Sequence, residues 1–311
     1  LAHALKTDYD VHIVTMSDVV KYDVKDIPVT SLARHDLHTS AFKKALSILK
    51  IIAAFVAFCR KNRVSCIVSY LARPNIIAVL SSFFLRNVRV ICTEHSTLSH
   101  YYQHSIVERV LLRLLRFAYS HADKVIAVSH GIKKDLVRFL GVKGTHIDVV
   151  YNIIDIERIR ELARLNPPNR TRFTFVSAGR FVESKNFPFL LREFAMAGNE
   201  CDLWILGAGD EEETGMLRLL AVELGIHERV TFWGFQQNPY RFFSVSDCFV
   251  MASKLEGLPT VLIEALACGC PVISTDCKSG PREILGGEGD ELISGLEKAP
   301  YGILASLDNP K

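Results

Sequence analysis

Ser253-Lys254-Leu255-Glu256-Gly257-Leu258-Pro259-Thr260-Val261-Leu262-Ile263-Glu264-Ala265-Leu266-Ala267-Cys268-Gly269-Cys270-Pro271-Val272 is the stretch on which the reading of this chain turns. It follows an apolar run, 248–251, that reads as a buried strand, and it opens a helix near Leu258. Pro259 then falls in the first helical turn, where a missing N–H costs little. A helix start offers free amide donors and the positive end of a dipole, a ready place for a diphosphate, and Gly257 lets the backbone come close to one. Glu256 stands at the mouth of that place, and Glu264 lies about 9 Å deeper at 1.5 Å per residue. A diphosphate ligand with hydroxyls at two separated places, as a nucleotide sugar has, would meet both carboxylates.

Outward from this stretch the same alternation recurs. Short β-branched runs at 11–16, 66–70, 88–93, 124–129 and 147–151 read as strands, with helical patterns at 41–61, 74–85, 106–119 and 132–140 between them. The second half repeats the scheme with strands at 173–178, 203–206, 229–233, 248–251 and 271–274 and helices at 189–197, 216–224 and 260–268. Continuous apolar strands joined by helices imply parallel sheets covered on both faces. The expected fold class is α/β, with two doubly wound Rossmann-like domains, 1–160 and 170–311, and an interdomain cleft. The polar segment 157–172, with Asn166-Pro167-Pro168-Asn169, reads as their linker. In such sheets ligands bind beyond the carboxyl ends of the strands.

Composition sets limits. The 311 residues are 49% hydrophobic and 23% charged, which suits proper cores and excludes wholesale disorder. Eight cysteines are scattered without a CxxC pair or zinc spacing and read as reduced, buried thiols of a cytoplasmic protein. The longest apolar stretches, 51–59 and 76–85, fall well short of the roughly 20 residues that cross a bilayer. Residues 1–165 carry 24 Lys and Arg against 14 Asp and Glu, a balance of +10, and the remainder 13 against 20, a balance of −7. A basic first half suits an anionic partner. Arg109, Arg113 and Arg116 share one side of a leucine-rich helix, and Lys43, Lys44, Lys50, Arg60, Lys61 and Arg63 surround the apolar run 45–58. Either helix could rest on an anionic membrane surface, on the inner face of the cell membrane, or simply keep its charges in water. No nucleic-acid motif is present, and the basic residues lack interleaved aromatics.

Glu256 and Glu264, set in S-x-x-E-G-x-P-x-x-x-x-E-A-x-A-x-G-x-P-V, resemble the signature of glycosyltransferase family 4, retaining enzymes of the GT-B fold. Gly179-Arg180 and Lys185-Asn186 resemble the family's G-R-x-x-x-x-K-G segment, with Asn186 in place of its second glycine. The resemblance implies that Arg180 and Lys185 meet the donor diphosphate, beside the opening of the helix at Gly257 and Leu258. Forked contacts suit Arg and a point charge suits Lys. Trp204-Ile205-Leu206-Gly207-Ala208-Gly209 is similar to the family's G-x-G turn, and Trp233-Gly234-Phe235 to the loop bordering the nucleobase, although core packing explains the latter block as readily. A third glycine for dinucleotide binding is missing, since Glu212 stands in its place. His95, in Thr93-Glu94-His95-Ser96, matches a histidine beside the transferred sugar. A histidine satisfied by local hydrogen bonds is the alternative. Ser129, Asn152 and Glu283 also match, but capping and turn formation account for them.

The implied function is transfer of a hexose or N-acetylhexosamine from a nucleotide diphosphate, UDP by expectation, to a glycan or polyprenyl-diphosphate-linked acceptor of the cell envelope. Glu256 and His95 would be catalytic, and Arg180, Lys185, Gly207, Gly209, Phe235, Gly257, Leu258 and Glu264 would bind the donor. No metal or other cofactor is called for, because basic side chains and helix amides replace it. The likeness is strong over 173–285 and looser before it. Residues 1–6 read as the end of a first helix, so the first strand and its glycine-rich loop are expected to be missing, and the closing helices beyond residue 311 likewise. Two other readings stay open: a GT-B sugar-nucleotide epimerase, and a non-catalytic nucleotide- or membrane-binding scaffold.

Overall fold

The computed structural model describes residues 2–16, 26–32, 41–101, 105–289 and 292–307. Two compact units emerge: Leu1–Ala127 with Asp135–Ile153, and Val128–Lys134 with Ile154–Lys311.

In the first unit, β1 (Ile13–Thr15) and β2 (Val29–Ser31) form a two-stranded parallel sheet. The strands β3 (Cys66–Tyr70), β4 (Arg89–Glu94), β5 (Lys124–Ala127) and β6 (Ile147–Val149) form a second parallel sheet in that order. Each follows a crossover helix: Ala41–Lys61 before β3, Ala72–Ser82 before β4, Ile106–His121 before β5 and His130–Arg138 before β6. The second of these starts two residues ahead of Pro74, because a first-turn proline forfeits no intrahelical bond. The third is opened by a capping box, in which Ser105 Oγ accepts from Glu108 N at 3.1 Å and Glu108 reaches back to Ser105 N at 3.0 Å. Register partners Tyr70 with Thr93 and Glu94 with Ala127 align the carboxyl ends of β3, β4 and β5.

In the second unit, β7 (Phe173–Ala178), β8 (Cys201–Leu206), β9 (Val230–Gly234), β10 (Cys248–Met251), β11 (Val272–Thr275), β12 (Leu296–Ala299) and β13 (Gly302–Ala305) form one sheet. Its order is β12-β13-β11-β10-β7-β8-β9. Both faces are covered. Along β8, Leu203 and Ile205 enter one core with Phe187, Leu191 and Leu217, while Trp204 and Leu206 enter another with Phe242, Phe249 and Leu262. That alternation inside a continuous apolar run is what a doubly covered parallel sheet demands.

Three local expectations are corrected. The pair β12–β13 is antiparallel, since the two residues Pro300 and Tyr301 that join the strands cannot make a parallel crossover. The expected linker begins with a helix, Ile156–Ala163, capped by Asp155, whose carboxylate accepts from Arg158 N at 2.9 Å. That helix buries Ile159 and Ala163, and its last carbonyls accept from Asn238 Nδ2 at 2.8 Å and Ser244 Oγ at 3.0 Å, so it is part of the second unit. Finally, the helix after β10 runs Thr260–Ala267, matching the helical run at 260–268, so it does not open near Leu258 and Pro259 is its N-cap residue rather than part of its first turn. Among the described residues no helix is long and apolar enough to cross a membrane, and every cysteine is unpaired.

Candidate functional site

The order of the second sheet reverses between β7 and β10: from β7 the chain winds outward through β8 and β9, then returns to β10 on the other side. Loops leaving two such strands part in opposite directions and open a crevice at their carboxyl ends. The loop after β7 carries Gly179, Arg180 and Lys185, and the loop after β10 carries Glu256 and Gly257. They are tied by Lys254 N donating to Ser184 O at 2.8 Å. Lys185 Nζ donates to Glu256 Oε1 at 2.5 Å, with the two side chains only 23% and 10% exposed. Two residues far apart in sequence and assigned to one ligand are thus in contact. The turn Glu183–Lys185 ends at Asn186 with φ 55° and ψ 38°. This left-handed conformation explains why asparagine replaces glycine there, asparagine being the side chain that tolerates it best. Arg180 is exposed, and its side chain pairs with none of the described residues.

The turn before the Thr260–Ala267 helix is held from behind. Ser129 Oγ and Ser279 Oγ both donate to Gly257 O, at 2.9 and 2.8 Å, and lie 2.8 Å from each other. Because a trans peptide sets its carbonyl and N–H on opposite sides, drawing Gly257 O toward the serines directs Leu258 N–H the other way. Leu258 itself is 8% exposed. The backbone of the Ser279 loop comes so close that a Cβ at Gly280, where φ is +96°, would lie 2.3 Å from Pro259 Cδ. Ser129 also caps its own helix, accepting from Ile132 N at 3.2 Å. Glu283, expected to serve its own helix start, instead accepts from His130 N at 2.9 and 3.0 Å. The serine pair was invisible to sequence reasoning: Ser129 read as a cap alone, and nothing local links it to Ser279.

Glu264 sits about 6 Å into the helix, less deep than expected because the helix starts later. Burial pushes its carboxyl up, opposed by the Thr260 hydroxyl. Burial and then the charge of Glu264 push the Tyr240 phenol up, which makes Tyr240 a neighbour sequence reasoning missed. Burial, followed by the charge of Glu256, raises the Cys277 thiol to about 12, so that thiol stays protonated.

Gly207 and Gly209 stand where the strand ends crowd together. Gly207 N donates to Gly234 O at 2.8 Å and Gly179 N to Leu206 O at 3.0 Å. A Cβ at Gly209 would lie 2.8 Å from Phe181 Cβ. Packing therefore explains both glycines. Phe235, after β9, is 75% exposed, an open aromatic face, whereas Trp233 packs edge-on against Trp204 and Phe242.

His95 follows β4 in the first unit, half-buried, with its ring 5.6 Å from that of Tyr70. Its Nε2 lies 3.2 Å from Thr93 Oγ1, and burial lowers its pKa, favouring the neutral imidazole.

Residues 1–158 match the model of Glycosyltransferase Family 4, and residues 159–295 that of Glycosyl transferases group 1. The N-acetylgalactosamine-N,N'-diacetylbacillosaminyl-diphospho-undecaprenol 4-alpha-N-acetylgalactosaminyltransferase of Campylobacter jejuni is 30% identical over 309 residues, which is 98% of this chain and 80% of that protein. The lipopolysaccharide 1,6-galactosyltransferase of Salmonella typhimurium is 32% identical over 173 residues, 53% of this chain and 46% of that protein. Among solved structures, HepE of Anabaena in complex with UDP superposes with a TM-score of 0.68 at 20% identity, covering 91% of this chain and 73% of that one. Sucrose-phosphate synthase of Thermosynechococcus elongatus does so with 0.75 at 21%, covering 91% and 75%. These structural likenesses bear on the fold, which is GT-B, and the sequence matches bear on the family. The chain with its Lys185–Glu256 pair at the switch point of the second sheet belongs to glycosyltransferase family 4.

Proposed function

We propose that this glycosyltransferase is a retaining enzyme that moves a hexose or N-acetylhexosamine from a nucleotide diphosphate, UDP first among them, to a glycan or polyprenyl-diphosphate-linked acceptor. The observation that carries the reading is the contact of Lys185 with Glu256 at the β7/β10 switch point. One cation for a diphosphate and one carboxylate for sugar hydroxyls stand side by side. The structure of HepE with UDP-glucose and the diphospho-undecaprenol in the name of the Campylobacter relative support the donor and acceptor classes.

In this reading Arg180, Lys185 and Leu258 N–H hold the diphosphate and offset the charge that grows on it as it leaves. Glu264 accepts from the ribose, Phe235 stacks on the nucleobase, and Glu256 accepts from the transferred sugar. The acceptor oxygen bonds to the anomeric carbon on the face from which the phosphate oxygen departs. That phosphate oxygen takes the acceptor's proton, so charge and atoms balance without a base. The two basic side chains supply the positive charge that a divalent ion would otherwise bring, and His95 positions a sugar hydroxyl. The test is a panel of UDP- and GDP-sugars in the presence of a chelator. A ligand at a hundred times its Kd stabilises the native state by about 2.7 kcal/mol. A UDP-sugar is expected to raise Tm by several degrees and to be consumed only with an acceptor. Consumption without acceptor would show an epimerase, and no shift with any of them would overturn the reading.

A membrane partner has support in the first unit. Val107, Val110, Leu114 and Phe117 form a stripe along the Ile106–His121 helix and are 77%, 49%, 41% and 40% exposed. Phe83 continues the stripe with its ring 6.0 Å from that of Phe117. Arg109, Arg113 and Arg116 flank it. Apolar side chains edged by arginine suit the boundary of an anionic bilayer. The protein should co-sediment with vesicles containing phosphatidylglycerol and not with phosphatidylcholine alone. Phe117→Ser should weaken that about tenfold, the equivalent of one buried aromatic side chain. Equal binding by wild type and variant would remove this surface from consideration.

A further inference from the structure

Beside His95 lies a buried polar chain that the transfer mechanism does not use. Ser69 Oγ donates to Asn75 Oδ1 at 2.5 Å, and Asn75 Nδ2 donates to Thr93 O at 2.9 Å and to Tyr119 OH at 3.0 Å. Tyr119 OH in turn donates to Glu94 Oε2 at 2.6 Å. Glu94 Oε1 accepts from His95 N at 2.9 Å, Ser96 N at 3.0 Å and Ser96 Oγ at 2.9 Å. Asn75, Tyr119 and Glu94 are all fully buried. Every donor in the chain points one way, and it ends on a carboxylate with four donors. An added proton on Glu94 would have to displace one of them. Burial alone pushes this carboxyl up, and the bonds from Tyr119 and Ser96 oppose it. A buried, fully satisfied network of this kind rigidifies whatever it holds, and here it holds the backbone of His95 and Ser96.

The proton count points to one nitrogen of His95 as the carrier of hydrogen. Thr93 has one hydroxyl proton, and its Oγ1 lies 2.9 Å from Ser69 O, an acceptor that can only receive. With that proton committed, Thr93 Oγ1 meets His95 Nε2 at 3.2 Å as an acceptor, so the hydrogen in that contact belongs to Nε2. In the neutral ring Nδ1 then keeps its lone pair, and among the described residues it has no protein partner.

A second feature marks the same strand ends. Leu71, directly after β3, has φ 75° and ψ 158°, a strained region almost reserved for glycine. It is held there by Leu71 N donating to Thr93 O at 3.3 Å and by Asn75 N donating to Leu71 O at 3.0 Å. Strain kept by a bulky residue beside Tyr70 and His95 is the pattern of a preorganised site.

We infer that Thr93 and Glu94 are positioning residues for His95: Thr93 holds the imidazole in its Nε2–H form, Glu94 holds the backbone that carries it, and Nδ1 is the acceptor for a hydroxyl of the sugar substrate. The last clause rests on the function proposed above, and the first two do not. Long-range proton–nitrogen NMR of nitrogen-15 histidine-labelled protein at neutral pH reads the tautomer directly, with His95→Gln identifying the signal by its loss. An unprotonated Nδ1 and a protonated Nε2 are expected, with a shift to mixed tautomers in Thr93→Val and a return to the wild-type pattern in Thr93→Ser. Protonation at Nδ1 in the wild type would overturn the inference. Tyr119→Phe, which removes one donor and keeps the carboxylate, should speed exchange of the His95 and Ser96 amides, and unchanged exchange would overturn the part given to Glu94.

In transfer assays Thr93→Val should lower kcat about three- to tenfold, the equivalent of one hydrogen bond, with KM for the donor held and Thr93→Ser restoring the rate. Full turnover in Thr93→Val with its tautomer demonstrably changed would overturn the assignment of Nδ1. A protein that shows the expected tautomer and transfers no sugar to any acceptor contradicts the proposed function alone.

Discussion

Lys185→Ala is expected to lower sugar transfer by about 10²–10³-fold, the scale of losing one preorganised charged donor from a site of developing negative charge. The side chain is 23% exposed and reaches Glu256 Oε1 at 2.5 Å, so it is already placed and needs little reordering when a diphosphate arrives. Glu256→Gln should produce a loss of similar size, since it keeps the shape and removes the anion that both steadies Lys185 and accepts from the sugar. The two losses should be far from additive, as expected of residues that act on one another. Stability offers the control. Neither variant should move the Tm of the ligand-free protein by more than a few degrees, yet Lys185→Ala should lose most of the rise caused by a UDP-sugar. Undiminished kcat/KM in either variant would remove these residues from the reaction. A lost rise together with a collapsed native state would show only a folding role.

Gly207→Ala should abolish the folded state of the second unit. The residue has φ +132°, and a Cβ there would lie 1.8 Å from Gly179 O. That atom is backbone, fixed by Gly179 N donating to Leu206 O at 3.0 Å, so no rotamer change can relieve the overlap. Only separation of the carboxyl ends of β7 and β8 could do so, and those ends position Lys185 and Arg180. The expected cost exceeds the 4–5 kcal/mol that marks exceptional substitutions, and circular dichroism should show loss of a cooperative melt or of soluble protein. Gly225→Ala is the comparison. Its φ of +67° carries strain of about 1–2 kcal/mol, but no atom lies within 4 Å of the added carbon, so that variant should fold with a reduced Tm. Equal melting of the two variants would contradict the clash at Gly207.

Much of this architecture was legible in the residues, and the reasons differ from place to place. The runs 66–70, 173–178 and 248–251 are apolar on both faces and short, and they are strands with those bounds. The Ile156–Ala163 helix was read as linker because Glu157, Arg158, Arg160 and Glu161 make the segment look solvated. Only Ile159 and Ala163, one face of it, are buried. The β12–β13 hairpin escaped notice because Leu296–Ala299 is half charged and edge strands need no continuous apolar pattern. In the site, the order of Arg180, Lys185, Glu256 and Glu264 along the chain followed from family resemblance, but the contact of Lys185 with Glu256 follows from the strand order of the sheet. Glu94 gave no signal at all. A glutamate at a strand end reads as a solvated charge, and four donors, three from the next two residues and one from Tyr119, are what make its burial tolerable.

The short segment Val128–Lys134 matters to anyone wishing to excise the second unit or graft it elsewhere. A fragment beginning at residue 154 keeps Arg180, Lys185, Glu256 and Glu264, yet it discards Ser129 and the amide of His130 that Glu283 grips. Gly257 would be left with Ser279 as its sole hydroxyl donor, and the turn that aims Leu258 would swivel more freely. Such a fragment could still bind a nucleotide, but with the wrong peptide plane facing it.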